Sequence, residues 1–209
     1  MLALILTVLT VFVLLVINEL WWRHREVHTE FGRKFIHVTV GGFVAFWPFI
    51  LSWHQIEILS VAFFVVVVAS KYLHVFQAIH SVQRPTWGEL FFAIAVGSVA
   101  LVTHNKWIYA AALMQMALAD GLAAIIGVQY GNRLKYLVFK HPKSVAGTFT
   151  FFVVSLGILL AYSHLGGQPL TTGYMLLVAA LATALENVAV WGLDNLLVPL
   201  LVAAMLVNR

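Results

Sequence analysis

Runs of about twenty apolar residues recur along almost the whole chain, the length at which a helix spans the ~30 Å hydrocarbon core of a bilayer. Lipid offers no hydrogen bonds to a backbone, so each run must satisfy its own N–H and C=O groups by folding as a helix. The runs fall at residues 2–20, 36–53, 56–72, 88–103, 107–128, 146–164, 171–191 and 195–207. They predict an all-α, polytopic transmembrane bundle of seven or eight helices. The last run is too short to cross unaided at ~1.5 Å per residue. It is tilted, half-inserted, or a kinked continuation of the run before it. Charged residues make up 10% of the chain, against roughly 25% in soluble domains. Residues 1–209 therefore read as a single membrane domain with short connections. The first run, Leu2 to Ile17, lacks a basic lead-in and a small-residue cleavage pattern, so a retained helix is expected there rather than a signal peptide. The chain has no cysteine, which excludes disulfides and thiol catalysis.

The basic residues sort by side. Arg23, Arg25, Arg33 and Lys34 lie in the first connection, Lys71 and Arg84 in the third, and Arg133, Lys135, Lys140 and Lys143 in the fifth. The even-numbered connections hold only Lys106, and Arg209 ends the chain. The bias of Lys and Arg toward the cytoplasmic side then predicts an N-terminus outside and the odd-numbered connections in the cytoplasm. A net charge of +4 distributed in this way reflects topology and implies no nucleic-acid partner.

The acidic residues converge on the same side. Asp120 lies inside the fifth run, Glu186 near the cytoplasmic end of the seventh, and Asp194 just beyond it. Glu89 opens the fourth run, while Arg33, Lys34 and His37 open the second. Arg and Lys at helix ends reach the interface with long side chains, the ordinary reading for Arg23, Arg25, Lys71 and Lys106. Short carboxylates within apolar helices have no such reach, and they mark paired or functional positions.

Asp120 is followed by Ala123, Gly127 and Gly131 at helical spacing, then by a basic loop ending in Lys143-Ser144-x-x-Gly147. Such a small-residue stripe is usually a seam where helices approach closely. Glycines beside a cationic loop would also admit a phosphate. Lys143, Ser144 and the free N–H groups at the start of the sixth run form a candidate anion site. The electrostatic pattern is that of a polyphosphate held by Lys and Arg, with a divalent metal on the carboxylates.

The run Asp120-x-x-Ala123-x-x-x-Gly127-x-x-x-Gly131, with Lys143-Ser144-x-x-Gly147 downstream, resembles the CTP-binding motif of the polyprenol kinase family. That family includes dolichol, phytol and CTP-dependent diacylglycerol kinases. Further landmarks match in order: Arg33-Lys34-x-x-His37, Arg84-Pro85-Thr86-x-Gly88-Glu89, Glu186-Asn187, Asp194-Asn195 and Pro199. Pro142 and Ala146 stand where the family often has a second Lys and an acidic residue, and Ser144 keeps the hydroxyl of the usual Thr.

The resemblance implies a membrane-embedded kinase that transfers the γ-phosphoryl of CTP, or another nucleoside triphosphate, to the hydroxyl of a polyprenol, phytol-like or diacylglycerol lipid. Asp120 would hold Mg2+, with Glu186 or Asp194 completing the metal site. Lys143, Ser144 and the stripe of Ala123, Gly127, Gly131 and Gly147 would hold the phosphates, with Arg33, Lys34 and Arg84 adding positive charge. His37, Asp120 and Glu186 are the candidates for the base that takes the alcohol proton. Glu89, Asn187 and Asn195 complete the polar set. A phosphatidate cytidylyltransferase-like CDP-lipid synthase would use the same nucleotide, but its C-terminal Ser-x-x-Lys-Arg pattern is missing. An ion-coupled transporter would also carry intramembrane carboxylates. No internal repeat is visible, and the polar residues cluster on one side only.

Overall fold

The computed structural model describes residues 1–25, 30–73, 87–131, 134–139, 141–166 and 168–209, with backbone alone for 21–25, 30–33 and 71. Among the described residues, eight helical stretches follow the eight apolar runs. They are α1 (Leu2–Arg25), α2 (Glu30–Ala45), α3 (Trp53–Leu73), α4 (Gly88–Val102), a joined pair α5 (Lys106–Met114) and α6 (Asp120–Tyr130), α7 (Val145–Leu165), α8 (Thr172–Val188) and α9 (Asp194–Val207). The fold is an all-α membrane helix bundle.

Among the described residues, four stretches are long and apolar enough to cross a bilayer: Leu2–Leu20, Trp53–Ser70, Lys106–Tyr130 and Val145–Leu165. Gly88–Val102, Thr172–Val188 and Asp194–Val207 are apolar but shorter. Leu6, Leu9, Phe12 and Ile17 on α1, with Val61, Val65 and Val66 on α3, point outward and are exposed. An apolar exterior of this kind belongs against acyl chains.

Lys106–Tyr130 is the central stretch. It is 56% buried within the protein, against 22–28% for the other three long spans. Tyr109, Leu113, Gln115 and Met116 on it are fully enclosed. Between its two α-helical halves, Gln115–Ala119 winds as a π-helical turn. Such turns recur at functional sites because they redirect the side chains that follow. The residue that follows here is Asp120.

Three local features differ from a plain helix-and-loop reading. Pro48 falls in a single 3-10 turn, Trp47–Phe49, so the second run breaks after Ala45 instead of continuing to residue 53. A proline at the start of a new turn is tolerated where one inside a helix is not. The basic loop after α6 contains a hairpin of β1 (Lys135–Val138) and β2 (His141–Ser144), with Tyr136 opposite Lys143. The last two runs form separate helices, α8 and α9, and not one kinked helix. Trp191 (φ 57°) and Gly192 (φ 88°) turn the chain between them.

That turn seats against the start of α4. The Trp87 N–H donates to the Trp191 carbonyl at 3.1 Å, and Asn195 Nδ2 donates to the Gly88 carbonyl at 3.0 Å. A Cβ on Gly192 would lie 2.5 Å from Gly88 Cα and 2.6 Å from its nitrogen. The backbone conformation and the close approach both demand glycine. We expect Gly192→Ala to lose about 1–3 kcal/mol of stability, read from unfolding of the purified protein in detergent. Gly157→Ala, where a Cβ meets nothing within 4 Å, should lose none.

Candidate functional site

Asp120 opens α6 directly after the π turn and is buried. Gly121 beside it lets α2 come close, since a Cβ there would collide with Val38. This approach brings one face of α2 onto the carboxylate. Lys34 Nζ forms an ion pair with Asp120 Oδ2, and both side chains are almost fully enclosed. One turn along, His37 Nε2 lies 3.9 Å from the same oxygen.

The hairpin supplies a second ion pair. Lys143 Nζ donates to Glu186 Oε1 at 2.5 Å and to the Glu186 carbonyl at 3.0 Å. Glu186 lies in the last turn of α8, where the negative end of the helix dipole adds to the attraction. Burial pulls the Lys143 pKa down, but the charges of Glu186, Asp194 and Asp120 together push it above the ordinary lysine value. The ammonium stays protonated at neutral pH. Tyr136, across the hairpin from Lys143, donates to Asn187 Oδ1 at 2.6 Å and also bonds to Thr148. Thr148 Oγ1 donates to the same Asn187 oxygen at 3.0 Å, so the hairpin is held to both α7 and α8.

Asp194, the first residue of α9, completes the centre. Asp120, Glu186 and Asp194 each offer a carboxylate oxygen, and these atoms all lie within 4.8 Å of one another. Three like charges this close repel strongly in a low-dielectric setting. Lys34 and Lys143 offset two of them. An all-oxygen set of this kind suits a hard divalent cation such as Mg2+ or Ca2+.

The small-residue stripe packs against the start of α7. A Cβ on Gly127 would lie 2.9 Å from Ser144 Oγ, and one on Gly131 would be 2.5 Å from it. A Cβ on Gly147 would be 2.9 Å from the Ala123 carbonyl. The space that the glycines leave is filled by Ser144 and Gly147, which makes this a helix-packing seam. Ser144 Oγ also accepts the Gly147 N–H at 3.1 Å, capping α7. The seam thereby sets where Lys143 emerges.

The remaining polar residues line a different feature. His37, Glu89 and Asn195 are the polar residues of a cleft whose walls include Leu15, Phe63 and Val67. The side chain of Arg33 and all of Arg84 lie outside the described residues. Tyr136 and Thr148 carry site contacts that sequence reasoning missed. Tyr136 lies on a four-residue strand within a basic loop, too short for its alternation to be read, and Thr148 is a polar residue in the first turn of an apolar helix.

A curated relative, the phytol kinase of Synechocystis sp., is 34% identical over 178 residues, covering 82% of this chain and 76% of the relative. The chain belongs to the polyprenol and phytol kinase family. Family membership bears out the resemblance read from the Asp120–Gly131 run and makes this an enzyme of the lipid-alcohol kinase kind. No family model matches the chain, and no solved structure matches it.

Breaking a buried ion pair on one side leaves an uncompensated charge, at a cost of about 3–5 kcal/mol. Lys34→Met should lose stability of that order, because Asp120 would then face Glu186 and Asp194 with less opposing charge. The double variant Lys34→Met/Asp120→Asn should recover most of the loss in denaturant or thermal unfolding. Simple addition of the two single effects would show that the residues are not coupled.

Proposed function

We propose that the chain transfers the γ-phosphoryl group of a nucleoside triphosphate, with CTP as the favoured donor, to the hydroxyl of a phytol-like, polyprenol or diacylglycerol lipid. One observation carries the reading: three carboxylates from α6, α8 and α9 meet within 4.8 Å, with Lys34 and Lys143 already seated on two of them. The phytol kinase name of the relative supports the lipid-alcohol acceptor.

In the reaction, the alcohol oxygen forms a bond to the γ-phosphorus as the bond from that phosphorus to the β–γ bridging oxygen breaks. The alcohol proton leaves, and a nucleoside diphosphate departs. Such a transfer needs alignment and charge neutralisation more than covalent help from the protein. Asp120, Glu186 and Asp194 are the residues that would hold Mg2+, which when bound would neutralise phosphate oxygens. Lys143 and Lys34, both cationic, hold the donor's β- and γ-phosphates in line. In this reading Ser144 and Gly147 present the phosphate-facing end of α7, while Ala123, Gly127 and Gly131 contribute by letting that end sit close. Arg33 and Arg84 add charge along the transferring group. His37, beside Asp120, is placed to take the alcohol proton, and Asp120 and Glu186 are the other groups that can. The asymmetry of Lys and Arg supports a multi-pass protein with its N-terminus outside and this centre facing the cytoplasm.

The test is transfer of label from γ-labelled CTP or ATP to a panel of lipid alcohols in the presence of magnesium. Label in the lipid fraction, strongest with CTP and removed by chelation of the metal, is expected. CDP-lipid formation from phosphatidate without alcohol phosphorylation would reject the kinase. Asp120→Asn should lower kcat by roughly a hundred- to a thousandfold, the scale for removing one electrostatic group from such a centre, with the protein still folded.

A further inference from the structure

The cleft beside the carboxylate centre shares His37 with it. Its walls include residues from helices whose outer faces are apolar and exposed, Leu15 from α1 and Phe63 and Val67 from α3, together with Val40 of α2 and Phe92 of α4. It also gathers three polar side chains, His37 on α2, Glu89 on α4 and Asn195 on α9. Its lining, mostly apolar with a few convergent polar groups, is of the kind found in small-molecule sites.

Two of those polar groups have unused capacity. Asn195 is 3% exposed and its Nδ2 is committed to the Gly88 carbonyl. That bond fixes which end of the amide is oxygen, and the oxygen Oδ1 has no hydrogen-bond partner among the described residues. Glu89 is half-buried and makes no hydrogen bond or ion pair among the described residues. An acceptor left unsatisfied in a buried setting is unfavourable unless something donates to it. The group that satisfies it is a donor, and the apolar walls suit one that carries a hydrocarbon chain. A lipid alcohol has both parts. His37 joins the cleft to the phosphoryl-transfer centre, with its Nε2 3.9 Å from Asp120 Oδ2.

We infer that this cleft is the acceptor site. The lipid chain enters between α1 and α3 and lies against Leu15, Phe63 and Val67. On binding, its hydroxyl donates to Glu89 beside Asn195, and in the transfer step the same proton passes to His37, which lies between the hydroxyl and Asp120. The inference rests on the kinase reading, which it extends by naming the acceptor site. A lipid tail gains little by moving from bilayer to protein, since both are apolar. Recognition must therefore come from the hydroxyl and from the shape of the walls, which gives Glu89 a positioning role.

The experiment uses the whole protein in nanodiscs. A long-chain alcohol bearing a diazirine on its chain is photolysed with wild type, and the labelled peptides are mapped. Label on α1 and α3 around Leu15, Phe63 and Val67 is expected, suppressed by excess phytol but not by the hydrocarbon that lacks its hydroxyl. In parallel, Glu89→Gln and Val67→Phe should each raise the KM for the lipid alcohol by roughly tenfold, with the KM for nucleotide unchanged. A merely structural effect would move both constants together. Phosphate transfer by wild type, with label elsewhere and the alcohol KM unmoved in both variants, overturns the inference and leaves the kinase standing. Label in the cleft with no transfer by wild type supports an alcohol site and removes the kinase reading.

Discussion

Three carboxylates held together inside an apolar bundle are the constraint around which the rest of the protein is arranged. Asp120, Glu186 and Asp194 would repel one another at this spacing in a medium of low dielectric, so cations must be delivered to them. α2 brings Lys34, admitted by the absence of a side chain at Gly121. The hairpin after α6 brings Lys143. The glycine seam, the Ser144 cap and the Tyr136–Asn187–Thr148 cluster all act on the position of that hairpin. Elements that look unrelated along the chain thus serve one electrostatic requirement. A nucleotide with its metal ion would meet the same requirement with different partners.

Hydropathy made the bundle legible because lipid leaves a backbone no alternative to helices. Eight apolar runs became eight helical stretches. The depth of the acidic residues was legible for the same reason: counting from helix ends put Asp120, Glu186 and Asp194 on one side before any packing was known. Pairing was not legible. Nothing in the sequence says that Lys34 meets Asp120 while Lys143 meets Glu186, since this depends on which helices touch. The π turn before Asp120 has no sequence marker, and the strands of the hairpin are four residues each. The division between α8 and α9 turns on two positive-φ residues, Trp191 and Gly192, at a gap of three residues between two apolar runs. Ala123, Gly127 and Gly131 illustrate the opposite difficulty, because one spacing fits both a packing seam and a phosphate-binding surface. The structure fills that space with Ser144 and Gly147, so the stripe acts on the hairpin through packing.

The polar residues divide into two groups by position. One surrounds the carboxylates and is cationic: Lys34 and Lys143. The other lines the neighbouring cleft: Glu89 and Asn195. His37 touches both, near Asp120 on one side and in the cleft wall on the other. A reaction between a water-soluble anion and a lipid hydroxyl needs this division, because its two substrates arrive from different phases. The turn at Trp191 and Gly192 ties the groups together, since it leads into Asp194 in the centre and Asn195 in the cleft, while Trp191 and Asn195 bond to the start of α4.

The central claim, that Asp120, Glu186 and Asp194 form a divalent-cation centre serving a nucleotide, is tested most directly by Mn2+ binding to the purified protein. Electron paramagnetic resonance would follow the free ion with and without CTP. One site per chain is predicted, tightened by CTP and lost in Asp194→Asn with the fold intact. No Mn2+ uptake by wild type, or uptake that Asp194→Asn leaves unchanged, would contradict the account.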